Sequence, residues 1–470
     1  MRRMMGWMLL LSLLFCGCRS KEPDTQPQNG ETDQETETGT NVDVGVSTVC
    51  INPREENEIT LAGFGNDNRG YDGILDDIEV GCVVFSANGV KCAVIAADIL
   101  GWDMEIMAQL RERVERELGI PQDNLLFNAS HSHSGPTTQK NTVGIGVVSE
   151  SYNAYLTELT FQCMQQAAGD LETCRLYKGT APAENVAINR RRVVNGTMQM
   201  SPNPNEACCN ECDVIVAKRG NSFKVVLFSF GSHPSILNGN YISAEFVGAA
   251  RTVIENRYEG ATAIFVQGCG GDAKANITDE TQTRFISNRY EDVYILGNRL
   301  AQDIIRYIDG GKLKSVKGDV AVKVSRFSLQ LQKNIKKKED YVTLAEENRG
   351  HYLHKVYRWY YDHYDELATE VPFMLQRIDL GDSLTIVAMM GEVVWGYDAK
   401  ISALMPNRTV VVAGYSNGVY GYICTAKMYP EGGYEPDRST TIYQLPAGYL
   451  PETESNILSS AAQLCGGGSE

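Results

Sequence analysis

The sequence predicts an α/β fold: a mixed central β-sheet flanked by helices, with a metal site at the strand ends. Three observations lead there. Continuous apolar runs of strand length recur along the chain, and several end in Gly or Ser beside a polar residue. Between them lie segments with the apolar spacing of an amphipathic helix. Two of the six histidines in the 470-residue chain, His131 and His133, stand in one three-residue window directly after such a run.

At the N-terminus, Arg2 and Arg3 precede an apolar run from Trp7 to Phe15, and Cys16–Gly17–Cys18 follows it. A positive n-region, a short h-region and a small residue before a cysteine resemble a bacterial lipoprotein signal peptide over residues 1–18, lipidated on Cys18. An ordinary cleaved leader or a single membrane anchor is the alternative, although the run is short for a transmembrane span. The expected address is the bacterial envelope or cell surface, with the membrane reached through the lipid on Cys18. Residues 19–46 are polar, acidic and nearly free of large apolar side chains. Such a segment cannot bury enough surface to fold, and it reads as a disordered acidic tether. The folded body is expected over residues 47–470.

Val80–Phe85 and Lys91–Asp98 flank Ala87–Asn88–Gly89, the chemistry of a β-hairpin. In Asp103–Gly119, Met107, Leu110, Val114 and Leu118 share one helical face; Asp103 suits the N-cap, Gly119 the C-cap, and Pro121 bars continuation. Leu125–Leu126–Phe127 is a buried strand that opens into a loop carrying His131 and His133. On extended backbone these two point the same way. Loops at such sheet edges are where α/β folds build sites, so the pair is either a metal or proton-transfer site or a polar turn with incidental imidazoles.

A helix is expected over Tyr152–Leu171 and a loop-rich segment over 180–222. Phe223–Phe230 is a strand leading to His233, Ala244–Asn256 a helix, Ala263–Val266 a strand leading to Gly271–Asp272, and Tyr290–Ile308 a helix. Residues 338–368 read as one long charged and aromatic helix. Its His351 and His354 lack the carboxylate motif of a bundle metal site, which leaves a solvated or half-buried face; its Tyr and Trp residues equally suit a substrate groove. Leu384–Met390 is a strand leading to Gly391–Glu392, and Thr409–Ala413 a strand leading into a Tyr-containing loop.

Composition narrows the function. Hydrophobic residues make up 43% and charged residues 22%, ordinary for a globular protein. A net charge of −16 without a basic stripe argues against nucleic acid as a partner. Of the 13 cysteines, Cys208, Cys209 and Cys212 cluster without a matching second pair. That pattern favours a local disulfide or free thiols over a zinc knuckle. The strand ends bring His131, His133, His233, Asp272 and Glu392 to one sheet edge. Two or three imidazoles with a carboxylate form a zinc-type ligand set with one position left for water.

Motifs in a fixed order carry a resemblance. HSHSGP at 131–136, NVAINR at 185–190, His233 followed by ISAEFVG at 242–248, Gly271–Asp272 up to Asn276, Gly391–Glu392, and YGYICTAKMYPEGGYE at 420–435 resemble the neutral, non-lysosomal ceramidases in their N-terminal catalytic domain. The similarity covers about residues 50–445. It implies a zinc-dependent hydrolase of the amide bond in N-acylsphingosine (ceramide)-like lipids. It implies Zn2+ held by His131, His233, Glu392 and Tyr422, with His133, Arg190 and Tyr434 around the scissile amide. In GDAKAN, Asp272 is retained and Lys274 stands where the family motif has Ser. Two roles for Lys274 stay open: acid–base work at the leaving amine, or a pairing away from the site with Asp272 or another carboxylate. The larger family members continue into an immunoglobulin-like domain. None is expected here, and residues 446–470 read as a short tail. The partner expected is a lipid or another acylated small molecule. The alternatives are hydrolysis of a different acylated amine or ester, or a non-catalytic surface lipoprotein that binds lipid or glycan.

Overall fold

The computed structural model describes residues 41–66 and 68–466. The expected signal peptide with Cys18 and residues 19–40 of the expected tether lie outside them, as do residues 67 and 467–470. The first described elements are β1 Val42–Cys50, β2 Gly73–Ile74, β3 Glu79–Ala87, β4 Val90–Ala97, α1 Met104–Leu118, β5 Leu125–Ala129 and α2 Glu150–Gly169. The middle of the chain forms β6 Glu172–Pro182, β7 Ala187–Val194, β8 Thr197–Asn203, β9 Glu211–Arg219, β10 Ser222–Phe230, β11 Tyr241–Ile242, α3 Glu245–Arg257, β12 Thr262–Gln267, β13 Ala273–Ala275 and α4 Tyr290–Asp309. The last part forms β14 Lys314–Ser315, β15 Val320–Gln330, α5 Lys338–Glu347, α6 Tyr352–Asp362, β16 Glu370–Leu380, β17 Leu384–Met389, β18 Glu392–Val393, α7 Gly396–Ser402, β19 Thr409–Ala413, β20 Tyr422–Ile423, α8 Met428–Glu431 and α9 Thr453–Gly466.

The central sheet has nine strands in the order β12–β10–β9–β6–β1–β3–β4–β5, with β14 beside β6. It is mixed: β4 pairs with β5 and β10 with β12 in parallel, and the other pairs are antiparallel. Period-2 alternation sends the two faces of each strand to different cores. Val80, Cys82 and Val84 of β3 meet α1 and α2 on one face, while Val83 and Phe85 face the other way. On that other face lies a second sheet, β15–β16–β17–β19. Ile378, Leu380, Ile386 and Val411 fill the layer between the sheets. Tyr397 of α7 and Ile457 and Ala461 of α9 cover the outer face of the second sheet. The α3 and α4 helices join α1 and α2 over the central sheet. Each fully buried Leu, Ile or Phe side chain contributes about 1.5–3 kcal/mol, and both faces of β5 are buried.

Local chemistry explains the ends. Asp103 accepts the Glu105 N–H as N-cap of α1, and Gly119 closes the helix at φ 66°. Four expectations differ from the structure. First, β1 begins at Val42, inside the stretch read as tether, because Val42 and Val44 are core residues despite their polar neighbours. Second, the expected loop-rich segment 180–222 holds the end of β6 and all of β7, β8 and β9. Third, the single helix over 338–368 is two helices broken after Asn348, where Gly350 takes φ 83°. Fourth, residues 446–470, read as a tail, contribute α9 to the core. Among the described residues no helix is long and apolar enough to cross a membrane, and all the described cysteines are free thiols.

Candidate metal centre and active site

Strand ends from both sheets meet at one place, and Asn128 fastens them. Its side-chain amide donates to the carbonyls of Gln267 (3.2 Å) and Gly414 (2.8 Å), and its carbonyl accepts the Gln267 N–H at 2.8 Å. The ends of β5, β12 and β19 are thereby tied together. His131 follows β5 with a left-handed backbone, φ 65°, a conformation costly for a residue with a Cβ and most often found at functional sites. His233 follows β10, and its N–H donates to the Ala273 carbonyl at 3.1 Å. Gly391, at φ 88°, turns the chain after β17; a Cβ there would lie 2.9 Å from the Gly421 carbonyl oxygen. That turn presents Glu392, which pairs in register with Tyr422.

The four side chains converge. His131 Nδ1 lies 2.6 Å from the Leu100 carbonyl and His233 Nδ1 lies 2.7 Å from the Gly270 carbonyl. A carbonyl only accepts, so both Nδ1 atoms carry a proton and each ring turns its Nε2 to the cavity. Glu392 Oε2 lies 3.2 Å from His131 Nε2 and 2.9 Å from His233 Nε2. The Tyr422 hydroxyl is 3.3 Å from His233 Nε2. Burial pulls the His233 pKa down to about 4, so this ring is neutral at pH 7. Two imidazole Nε2 atoms and a carboxylate oxygen thus face one another inside the protein, an arrangement that a cation between them would satisfy. Two imidazole nitrogens, a carboxylate and a phenol oxygen suit zinc, and the carbonyls on Nδ1 are the partners that fix metal-binding imidazoles.

His133 stands beside this set. The ligand-capable nitrogens of His131, His133 and His233 lie within 4.8 Å of one another. Both ring nitrogens of His133 are buried without a partner, and burial, reinforced by the two neighbouring imidazoles, pushes its pKa well below the usual value. Arg190 leaves β7 next to the β13 turn; its Nε donates to Glu435 (2.9 Å) and an Nη to the Tyr422 hydroxyl (2.9 Å). Burial pushes the Glu435 carboxyl upward, but Arg190 and Arg191 outweigh it and hold it below the usual carboxylate range. The Tyr434 ring lies 5.7 Å from that of Tyr422.

These residues line a cavity of about 250 Å³. Of the nine residues singled out from the sequence, it collects His131, His133, Arg190, His233, Lys274, Glu392, Tyr422 and Tyr434. Asp272 is the exception. It sits behind the cavity, with its carboxylate accepting the Trp395 N–H at 2.7 Å and the Asn189 amide at 3.4 Å, and its carbonyl accepting the Arg190 N–H. These bonds hold the turn. Lys274 therefore does not pair with Asp272: it faces the cavity, 4.9 Å from the Phe285 ring centre. Burial and the nearby Arg190 lower its pKa to about 8.

The sequence reading passes over two members. Tyr443 donates its hydroxyl to Glu392 Oε1, and Glu435 clamps Arg190. Glu435 had a signal, since it directly follows Tyr434 in the quoted motif. Tyr443 had none, as one tyrosine among 23.

In sequence, no family model and no curated protein matches the chain. In structure it matches the neutral ceramidase of Pseudomonas aeruginosa with a TM-score of 0.70 and 16% identity, over 91% of this chain and 75% of that one. A ceramidase complexed with C2 matches with a TM-score of 0.70 and 14% identity, over 90% and 75%. The αββα layering, and the cavity at the meeting of its strand ends, are thus those of a known architecture: the chain has the neutral ceramidase fold.

Proposed function

We propose that this protein is a zinc-dependent amidohydrolase of the neutral ceramidase family that cleaves the amide bond of N-acylsphingosine-like lipids. The observation that carries this reading is the convergence of His131 Nε2, His233 Nε2 and Glu392 Oε2 with both Nδ1 protons already donated to carbonyls. The fold of the two ceramidases supports it. His131, His233, Glu392 and Tyr422 would hold the ion, which would acidify a water and polarise the scissile carbonyl.

The remaining groups have separate tasks. Arg190 is fixed by Glu435, and with Tyr434 it faces the space where the carbonyl oxygen becomes negative; donors aimed there stabilise that charge. His133 is neutral with both nitrogens uncommitted, so it takes the proton of the attacking water and passes it to the leaving amine. Water thus adds hydroxyl to the acyl carbon and a proton to the nitrogen, giving acid and amine. Leu100, Ile145 and Ile442 supply an apolar wall for an acyl chain. Lys274 favours a second reading within the same chemistry, in which the amine half is not a sphingosine.

The test is hydrolysis of a panel of N-acyl lipids by purified protein, with zinc and after chelation. Activity on at least one acylated amine that falls more than about 100-fold on chelation is expected, the scale on which metal assistance operates. Full activity after complete metal removal would sink the zinc assignment. No hydrolysis of any acylated amine or ester by zinc-loaded protein would sink the enzyme.

A further inference from the structure

Lys274 is the middle residue of β13, whose neighbours Ala273 and Ala275 are buried while the lysine lines the cavity. The strand bridges to His233 at Lys274 itself, so the amine is close to the reacting centre. The other cations of this region are engaged. Arg190 donates to Glu435 and Tyr422, and Arg69 donates to the carbonyls of Ala62, His133 and Gly239. Two of the carboxylates are engaged as well: Glu392 meets His131, His233 and Tyr443, and Glu435 meets Arg190 and Arg191. Glu245 accepts the Leu237 N–H through Oε1, leaves Oε2 without a partner, and acts on Lys274 from beyond ion-pair distance. Among the described residues Lys274 has no carboxylate within ion-pair distance; its ammonium lies 4.9 Å from the ring centre of Phe285.

A partly desolvated ammonium without a direct counter-ion is unfavourable, and Glu245, whose carboxyl burial raises to about 7, meets it only from beyond ion-pair distance. The ligand is then the source of the negative charge. We infer that the acylated amine taken by this cavity carries an acidic group (carboxylate, sulfonate or phosphate) close to its scissile amide, and that Lys274 is the specificity-determining residue that pairs with it. This rests on the hydrolase reading above and narrows its substrate class. A ceramide, which has only hydroxyls near its amide, leaves the ammonium unpaired. An N-acyl amino acid or an N-acyl aminosulfonate satisfies it, while its acyl chain lies on the Leu100, Ile145 and Ile442 wall.

The experiment compares N-dodecanoylglycine and N-dodecanoyltaurine with the neutral N-dodecanoylethanolamine, which matches them in chain length. The readout is the ratio of kcat/KM for acidic over neutral amide, which cancels any general loss in a variant. A charge-assisted contact in a buried site predicts a ratio of about 10 to 100 in the wild type. Lys274→Met should bring that ratio to about 1, chiefly through KM, and Lys274→Arg, which keeps the charge but cannot shuttle a proton, should restore most of it. A wild-type ratio near or below 1, or equal losses on both substrates in Lys274→Met, overturns the inference. If zinc-loaded protein cleaves none of the three amides, calorimetric binding to the metal-free full chain decides, separately from the hydrolase reading. Acidic amides bound about 10-fold or more tightly than the neutral one by the wild type, and equally by Lys274→Met, uphold the pairing. Equal binding of all three by the wild type overturns it.

Discussion

Glu245 shows how a single residue can carry both structure and pH sensitivity. It is fully buried, sits at φ 60°, and accepts the Leu237 N–H through Oε1 while Oε2 has no partner. Burial raises its carboxyl from 4.5 to about 7. A folded-state pKa above the unfolded one means that the neutral form is favoured by folding. The stabilisation is complete below about pH 4.5 and is lost as pH rises through 7. Between pH 5 and pH 8 the wild type should therefore lose on the order of 2–3 kcal/mol at this site. Glu245→Gln keeps the acceptor for Leu237 and removes the titration. Urea unfolding at the two pH values should show a smaller pH-dependent loss in the variant, and an equal loss would refute the account. At this scale, residues announce themselves in the sequence when their neighbours are diagnostic. His131 and His133 are legible because two imidazoles fall within three residues. Tyr443 is not, because what matters about it is burial and a partner far along the chain, and the burial of Glu245 is likewise invisible in the motif that contains it.

At the scale of elements, legibility follows the layer in which a strand lies. β5, β10, β12 and β17 are buried on both faces and read as continuous apolar runs. The β7–β8 hairpin is covered differently, with Arg190 and Arg191 buried by pairing with Glu435, so its polar sequence reads as loop. The second sheet was hidden for another reason: its strands were visible, but nothing local assigns a strand to one sheet rather than another. The junction of the strand ends depends on Asn128, which gives its amide to Gln267, Gly414 and Ser416 and takes the Gln267 N–H. Asn128→Ala removes these bonds and leaves buried backbone groups at Gln267 and Gly414 without their partner. A loss of about 2–4 kcal/mol in urea unfolding is expected. A loss below about 0.5 kcal/mol, the scale of an inert surface change, would mean that the strand ends hold their register without it.

For the whole molecule, the candidate metal centre is a junction between layers. His131 and His233 come from the ends of β5 and β10 in the central sheet, whereas Glu392 directly follows the end of β17 in the second sheet. The apolar layer between the sheets holds them face to face, but that contact is non-directional. A metal ion held from both sides would join them at a fixed point and would have no equivalent site in the unfolded chain. Binding then adds directly to folding stability, by RT ln(1 + [L]/Kd), or about 4 kcal/mol at a thousandfold excess over Kd. Zinc should therefore raise the thermal unfolding midpoint in a concentration-dependent way, and chelation should lower it to a metal-free value. In His233→Ala the lone pairs of His131 and Glu392 remain, but the set loses the imidazole that lies 2.9 Å from Glu392. The zinc-dependent rise in midpoint should shrink to a small fraction of the wild-type shift in that variant, while its metal-free midpoint stays measurable as the reference. If zinc raises both midpoints by the same amount, the ion binds elsewhere and the two sheets are not joined through His233.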